Sequence, residues 1–393
     1  MKFIHAADLH LGSPFKGLTG LPNNIKKAVM VSISQSFDRL VNDAISEQVD
    51  FIILAGDEFD NSERSLRSQL YLKNKFEQLK EHDISVYLIY GNHDFLTSAN
   101  NLIGFPDNVT VFGPEIETKY FVKNNEKIAI TGFSYDRNHI TQDVAKDYPV
   151  RDTSADYQIG ILHGSISGDV GDYAPFTITE LINKGYDYWA LGHIHKRDVL
   201  SDDPYIIYPG NIQGRHRNEP GEKGYYLVTE SNKETDAKFV STAPIIWQNI
   251  SLSVKDIKNL NQLITKIEAS TENKHNTLIE LTLTDMDQLK DDLKNTVVSD
   301  ELLDSLQNSV SGKHFNFIYK IIPEYSKQIS YQTIDEQYWQ IASEKIFTQE
   351  NLNKNLGTMV RNDAIREYCQ RPDFLKELQK DTMNVINNNN VED

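Results

Sequence analysis

In the first half of the chain, apolar residues gather in short unbroken runs, and most of these runs end on a polar motif. The runs are Phe3 to Ala7, Phe51 to Ala55, Ser85 to Tyr90, Ile128 to Thr131, Gln158 to Leu162, Tyr188 to Leu191 and Tyr205 to Tyr208. Short, nearly continuous apolar runs of this kind predict strands covered on both faces, as in parallel sheets. Between the first two runs, Ile25, Val29, Ile33, Phe37, Leu40, Val41 and Ile45 recur at helical spacing, which predicts an amphipathic helix with one buried face. A more polar helix is expected over about Leu66 to Lys80. Alternating strands and helices, with polar groups at the carboxyl ends of the strands, predict an α/β layered sheet with a site along one edge.

The pattern changes around Ala243-Pro244. Strand-like runs at Ile250 to Val254, Leu278 to Leu283 and Phe315 to Ile322, separated by polar helical stretches such as Asp285 to Thr296, predict a small α+β domain over 246–328. From about Tyr331 the periodicity is helical, with Trp339, Ile341, Ile346, Leu352 and Leu356 as expected buried anchors. The asparagine-rich tail, Asn387 to Asp393, is expected to be disordered. The expected division is 1–245, 246–328 and 329–393, and two or three domains are what a chain of 393 residues leads one to expect at roughly 100 to 200 residues per domain.

Composition narrows the compartment more than the chemistry. Cys369 is the lone cysteine, so no intrachain disulfide can form and a reducing compartment is favoured. The opening run is interrupted by His5 and Asp8 before a signal-peptide core could form, and no stretch is apolar enough to span a membrane. A cytoplasmic location without membrane association is expected. The net charge of -17 argues against broad adhesion to nucleic acid. Lys196-Arg197 and Arg215-His216-Arg217 are local basic clusters that could meet a phosphate, or could be solvated surface charge.

Five motifs carry the candidate chemistry: Asp8-Leu9-His10, Gly56-Asp57-Glu58-Phe59-Asp60, Gly91-Asn92-His93-Asp94, His163-Gly164 and Gly192-His193-Ile194-His195. Carboxylates, imidazoles and an amide oxygen are ligands that bind manganese, iron or zinc without thiolate. Asp8 and His10, two apart on an extended segment, would face the same way, as would His193 and His195. Alone, such a pair is a common coincidence. Asp57 follows a glycine whose missing Cβ would let the backbone approach a metal or phosphate, although a plain β-to-α turn reads the same way. Gly91-Asn92-His93-Asp94 is more specific, with three functional side chains in succession. Five histidines in motifs that follow strands strain any reading in which each is a satisfied core residue.

On these motifs, and on Tyr208-Pro209-Gly210-Asn211 before a closing strand, the chain resembles the calcineurin-like metallophosphoesterases over about residues 1 to 230. Within them it resembles the DNA-repair exonuclease branch of the Mre11 and SbcD nucleases, and through Gln213-Gly214-Arg215-His216 the bacterial YhaO-type proteins. The resemblance implies a metallophosphoesterase sheet sandwich flanked by helices, a small α+β capping domain and a helical C-terminal region that binds a partner. It implies that Asp8, His10 and His195 bind one metal, that Asn92, His163 and His193 bind a second, and that Asp57 bridges both. It leaves His93 to assist the leaving group, with Asp94 orienting it. Many members end the second motif with histidine, where this chain has Asp60.

The implied cofactors are two divalent ions, manganese first, with iron or zinc as alternatives. Two ions held roughly 3.5 to 4 Å apart lower the pKa of a shared water and neutralise phosphate charge. The implied function is a DNA exonuclease or endonuclease subunit in DNA repair, working as a homodimer with a Rad50/SbcC-like coiled-coil ATPase. Arg215 and Arg217 are candidate substrate contacts. The alternative is a phosphodiesterase for a small or cyclic nucleotide. Protein phosphatases follow the second motif with Arg-Gly, and here Asp60 is followed by Asn61-Ser62. A non-enzymatic scaffold is disfavoured by the complete ligand set.

Overall fold

The computed structural model describes the chain except residues 14, 16, 17, 19, 62, 63, 97–102, 169–172, 309–313, 326–332, 357–368, 370, 372 and 390–393. The expected strands form, as β1 (Lys2–Ala6), β2 (Phe51–Ala55), β3 (Ser85–Ile89), β6 (Glu126–Gly132), β7 (Tyr157–His163), β8 (Tyr188–Gly192) and β10 (Tyr205–Tyr208). Further strands are β4 (Val109–Val111), β5 (Glu117–Lys123), β9 (Asp198–Asp202), β11 (Gly224–Ser231) and β12 (Glu234–Ser241). These were not legible from apolar runs, because β5, β9 and β12 lie at or near sheet edges and expose alternate residues.

Two six-stranded sheets result, in the orders β12-β11-β1-β2-β3-β4 and β5-β6-β7-β8-β10-β9. Strands β1 to β4 pair in parallel, as do β6, β7, β8 and β10, and antiparallel pairings close every edge but that of β4. Phe3, Phe51, Ile53 and Ile89 of one sheet pack against Ile128, Ile159, Ile161 and Tyr188 of the other, all fully buried. Each such side chain contributes about 1.5–3 kcal/mol by leaving water. Helices α1 (Asn23–Ser46) and α2 (Leu66–Lys80) cover the outer face of the first sheet with Ile33, Phe37, Leu40, Leu72 and Phe76. Helix α1 ends where Gln48 turns left-handed, with φ of 51°.

A third sheet of β13 (Ile245–Ser253), β14 (Asn276–Thr284) and β15 (Asn316–Pro323) follows. Its Ile245, Trp247, Leu278 and Phe317 share a core with Ile25 and Val29 of α1. By contacts the chain divides into two compact units: 1–252 with 257–283 and 290–323, and 253–256 with 284–289 and 324–393. The three-stranded sheet thus belongs to the larger unit and does not stand apart as a domain over 246–328. The helix expected over Asp285 to Thr296 is split, because Leu289 and Lys290 are extended, which leaves a short 3-10 turn over Met286–Gln288 and a helix over Asp291–Val298.

The smaller unit contains helices over Thr333–Ile346, Gln349–Leu356 and Phe374–Asn389. Ile341 and Ile346, expected as buried anchors, are 54% and 58% exposed. Trp339, Leu352 and Leu356 are half-buried. The tail is helical through Asn389, because a helix already nucleated at Phe374 extends at little further cost. Its last residues, 390–393, lie outside the described residues.

Candidate metal centre

Five parallel strands deliver the site to one edge of the two sheets. Asp8 and His10 follow β1, Asp57 follows β2, and Asn92, His93 and Asp94 follow β3. His163 ends β7, and His193 and His195 follow β8. The backbone there is not extended. Asp8, His10, Asp57 and His193 have φ of 54°, 47°, 58° and 98°. Such values cost of order 1–3 kcal/mol each outside glycine and concentrate at functional sites. Asp8 and His10 still converge on one point, as alternation predicts, but His193 and His195 do not face one way. His193 turns to Asn92, whereas His195 turns to His10.

Glycine makes the close packing possible. A Cβ on Gly56 would lie 2.5 Å from His163 Nδ1, and one on Gly91 would collide with the Asp57 carboxylate and the His163 ring. The space beside Gly56 thus admits an imidazole directly, where the sequence suggested a metal or phosphate.

The donor atoms converge into two overlapping cups. In one, His10 Nε2 and His195 Nε2 are 2.9 Å apart. Asp8, His10 and His195 there offer atoms within 4.8 Å of one another. In the other, Asn92 Oδ1 is 3.0 Å from His163 Nε2 and 3.1 Å from His193 Nδ1. Asp57 Oδ2 stands between the cups, 3.7 Å from His10 Nε2 and 3.5 Å from His163 Nε2. Backbone N–H groups aim both carboxylates: that of His193 donates to Asp8 Oδ1 at 3.1 Å, and that of His93 to Asp57 Oδ1 at 2.9 Å. Asp8, His10, Asp57, Asn92 and His163 are buried. Buried oxygen and imidazole donors aimed at shared points fit two divalent cations.

The electrostatics are consistent with that fit. Burial pushes His10 and His193 down to about 3, so both imidazoles are neutral and keep a lone pair. Burial would lower His163 too, but the Asp57 charge outweighs it and raises the group to about 9. Asp57 is held well below the carboxylate range, because the His163 charge overcomes burial. Burial raises Asp8. A cation would relieve the cost of keeping these carboxylates ionised away from water.

His93 is exposed at the mouth of the cups, with its ring centroid 5.1 Å from that of His10. Its Nδ1 lies 3.1 Å from the Asp60 carbonyl, which orients the ring. Asp94 does not take that role. Its carboxylate accepts from the N–H groups of Gly91, at 2.8 Å, and Phe59, at 3.2 Å, and so ties the third motif to the second. Beside it, burial and then the Asp94 charge push Glu58 well above its ordinary range, so that it is held as the neutral acid.

The two arginines expected at the substrate are engaged within the protein. Arg215 Nη1 donates to Asp60 Oδ1 at 2.7 Å, and Arg217 Nη1 to Glu280 Oε2 at 3.4 Å. Sequence reasoning missed Glu219, whose Oε1 is 2.6 Å from His195 Nδ1. It also missed Lys223, whose Nζ donates to the His195 carbonyl at 2.7 Å. Neither belongs to a motif that the sequence makes visible.

The pattern of the calcineurin-like phosphoesterase family matches residues 1–197. The uncharacterized metallophosphoesterase YhaO of Bacillus subtilis is 46% identical over 273 residues, covering 68% of this chain and 67% of that protein. The DNA double-strand break repair protein Mre11 of Methanocaldococcus jannaschii is 26% identical over 284 residues, 68% of this chain and 73% of its own. That of Methanococcus maripaludis is 25% identical over 372 residues, 91% and 92% of the two chains.

Proposed function

The chain belongs to the calcineurin-like phosphoesterase family, the metallophosphoesterases, and from that premise we propose that it is a two-metal phosphodiesterase whose substrate is DNA. Asp8, His10 and His195 would hold the first ion and Asn92, His163 and His193 the second, with Asp57 placed to serve both. The observation that carries this reading is the place of Asp57 Oδ2 between two cups of neutral or carboxylate-paired imidazoles. When bound, the ions supply Lewis acidity to the phosphoryl oxygens and a water of lowered pKa. The residues of the chain do the rest. Backbone N–H groups fix the bridging carboxylates, and burial keeps bulk water from the ligands. His93, anchored at Nδ1 and exposed, is the side chain placed to give a proton to the leaving oxygen. General acid catalysis of this kind contributes about 10² to 10⁴-fold.

The same proposal includes manganese as the metal, with iron or zinc as alternatives, a role as the nuclease subunit of a DNA-repair complex with a Rad50/SbcC-like coiled-coil ATPase, a homodimer and a cytoplasmic setting. Likeness to proteins named for DNA double-strand break repair supports the choice of DNA. The test is hydrolysis of a labelled linear duplex and of a chromogenic phosphodiester, with manganese, for wild type and His93→Ala. Wild type is expected to degrade DNA, and the variant to lose about 10² to 10⁴-fold of that rate. Turnover of the small ester with DNA untouched, even beside the ATPase partner, would move the substrate to a small or cyclic nucleotide.

A further inference from the structure

The two cups are backed differently. In the second, His163 Nδ1 rests 2.9 Å from a backbone carbonyl, that of Ala55. In the first, both imidazoles face carboxylates. Glu219 Oε1 is 2.6 Å from His195 Nδ1, and Asp60 Oδ1 is 3.4 Å from His10 Nδ1, a close approach without the alignment of a good hydrogen bond. Arg215 joins these carboxylates. Its Nη1 donates to Asp60 Oδ1 at 2.7 Å and to Ser13 Oγ at 3.0 Å, its Nη2 lies 3.9 Å from Glu219 Oε1, and its backbone N–H donates to Glu219 Oε2 at 2.7 Å. The Arg215 side chain is 12% exposed, which leaves it poorly placed to meet a substrate phosphate.

The segment that carries these groups is pinned from behind. Gln213 Nε2 donates to the Ile245 carbonyl at 2.8 Å, Trp247 Nε1 to the Gly214 carbonyl at 2.9 Å, and the Gly221 N–H to the Trp247 carbonyl at 2.9 Å. Strand β13 thereby holds the loop at both ends of the Arg215–Glu219 turn. Groups that orient a metal-bound histidine fix its tautomer and raise its basicity. Glu219 stands in that relation to His195 and Asp60 lies against His10, and the planar fork of an arginine suits the bridging of two carboxylates.

We propose that Arg215 is a positioning residue which, by joining Asp60 to Glu219, fixes His10 and His195 and sets the affinity of the first metal position without affecting the second. This rests on the two-metal reading and deepens it. The test is calorimetric titration of the metal-free full chain with Mn2+ for wild type, Glu219→Gln and Arg215→Lys, beside the melting temperature of each metal-free protein. Wild type takes up two ions. In each variant one affinity falls about 10- to 100-fold while the other stays within about threefold, the loss typical of an orienting partner removed. The lysine variant keeps the charge and loses the fork, so its defect reports geometry. Unchanged affinities in both variants overturn the inference. So does equal weakening at both positions with a lowered melting temperature, which is the signature of a general structural role. If wild type itself fails to take up two ions, the two-metal reading falls first.

Discussion

His5 shows how position decides what a histidine does. It lies on β1, three residues before Asp8, yet it faces the core. Its Nδ1 is 2.9 Å from the Tyr188 hydroxyl and its Nε2 is 3.1 Å from the Leu191 carbonyl. The neutral ring satisfies both, accepting the tyrosine O–H and donating to the carbonyl. Burial lowers it from 6.5 to about 3. The unfolded chain therefore binds a proton that the folded chain refuses across that window. Stability owed to this group is full above pH 6.5 and falls as the pH drops towards 3, with a slope of about 1.4 kcal/mol per pH unit. Urea unfolding of His5→Gln across that range is expected to show a shallower acid limb than wild type. An unchanged limb would assign acid sensitivity to the cups. At this scale the candidate metal-binding residues are legible in the sequence because each sits in a motif with a glycine or a second such residue, whereas Glu219 is an isolated acid brought to His195 by a loop that folds back.

Helix α1 and strand β13 show what elements add. The apolar face of α1 is read readily from spacing, but Ile25 and Val29 at its start cover Trp247 of β13, far away in sequence. Trp247 is 1% exposed, and its indole N–H holds the loop that bears Arg215 and Glu219. Trp247→Ala is expected to destabilise the larger unit by about 3–5 kcal/mol, from the lost transfer and the cavity left behind. Chemical denaturation measures it, and a loss below about 1 kcal/mol would mean that the three-stranded sheet is not held through this core. The division into a body and a separate small domain missed this packing, since apolar periodicity reports that a face is buried and not what buries it.

For the whole molecule, charge and metal are linked. The net charge is -17, and buried carboxylates gather at the edge where both sheets end. Ions taken up there stabilise only the folded chain. Chelation is expected to lower the melting temperature, and manganese at 100 times its dissociation constant to restore about 2.7 kcal/mol per site. Differential scanning calorimetry reads this directly, and a melting temperature indifferent to chelator and manganese would argue against any metal site. Among the described residues, no helix is long and apolar enough to cross a membrane.

The α/β class, the seven apolar strands with helices α1 and α2, and the candidate site residues Asp8, His10, Asp57, Asn92, His93, His163, His193 and His195 were legible in the sequence alone. Burial on both faces forces apolar runs, and metal-binding chemistry admits few side-chain types. Only the tertiary structure decided which imidazole meets which carboxylate. The left-handed turn at His193 breaks the alternation that would otherwise predict side-chain direction. It also placed Arg215, expected as a substrate contact, against Asp60 and Glu219 instead, because three segments distant in sequence meet only when both sheets and β13 have packed.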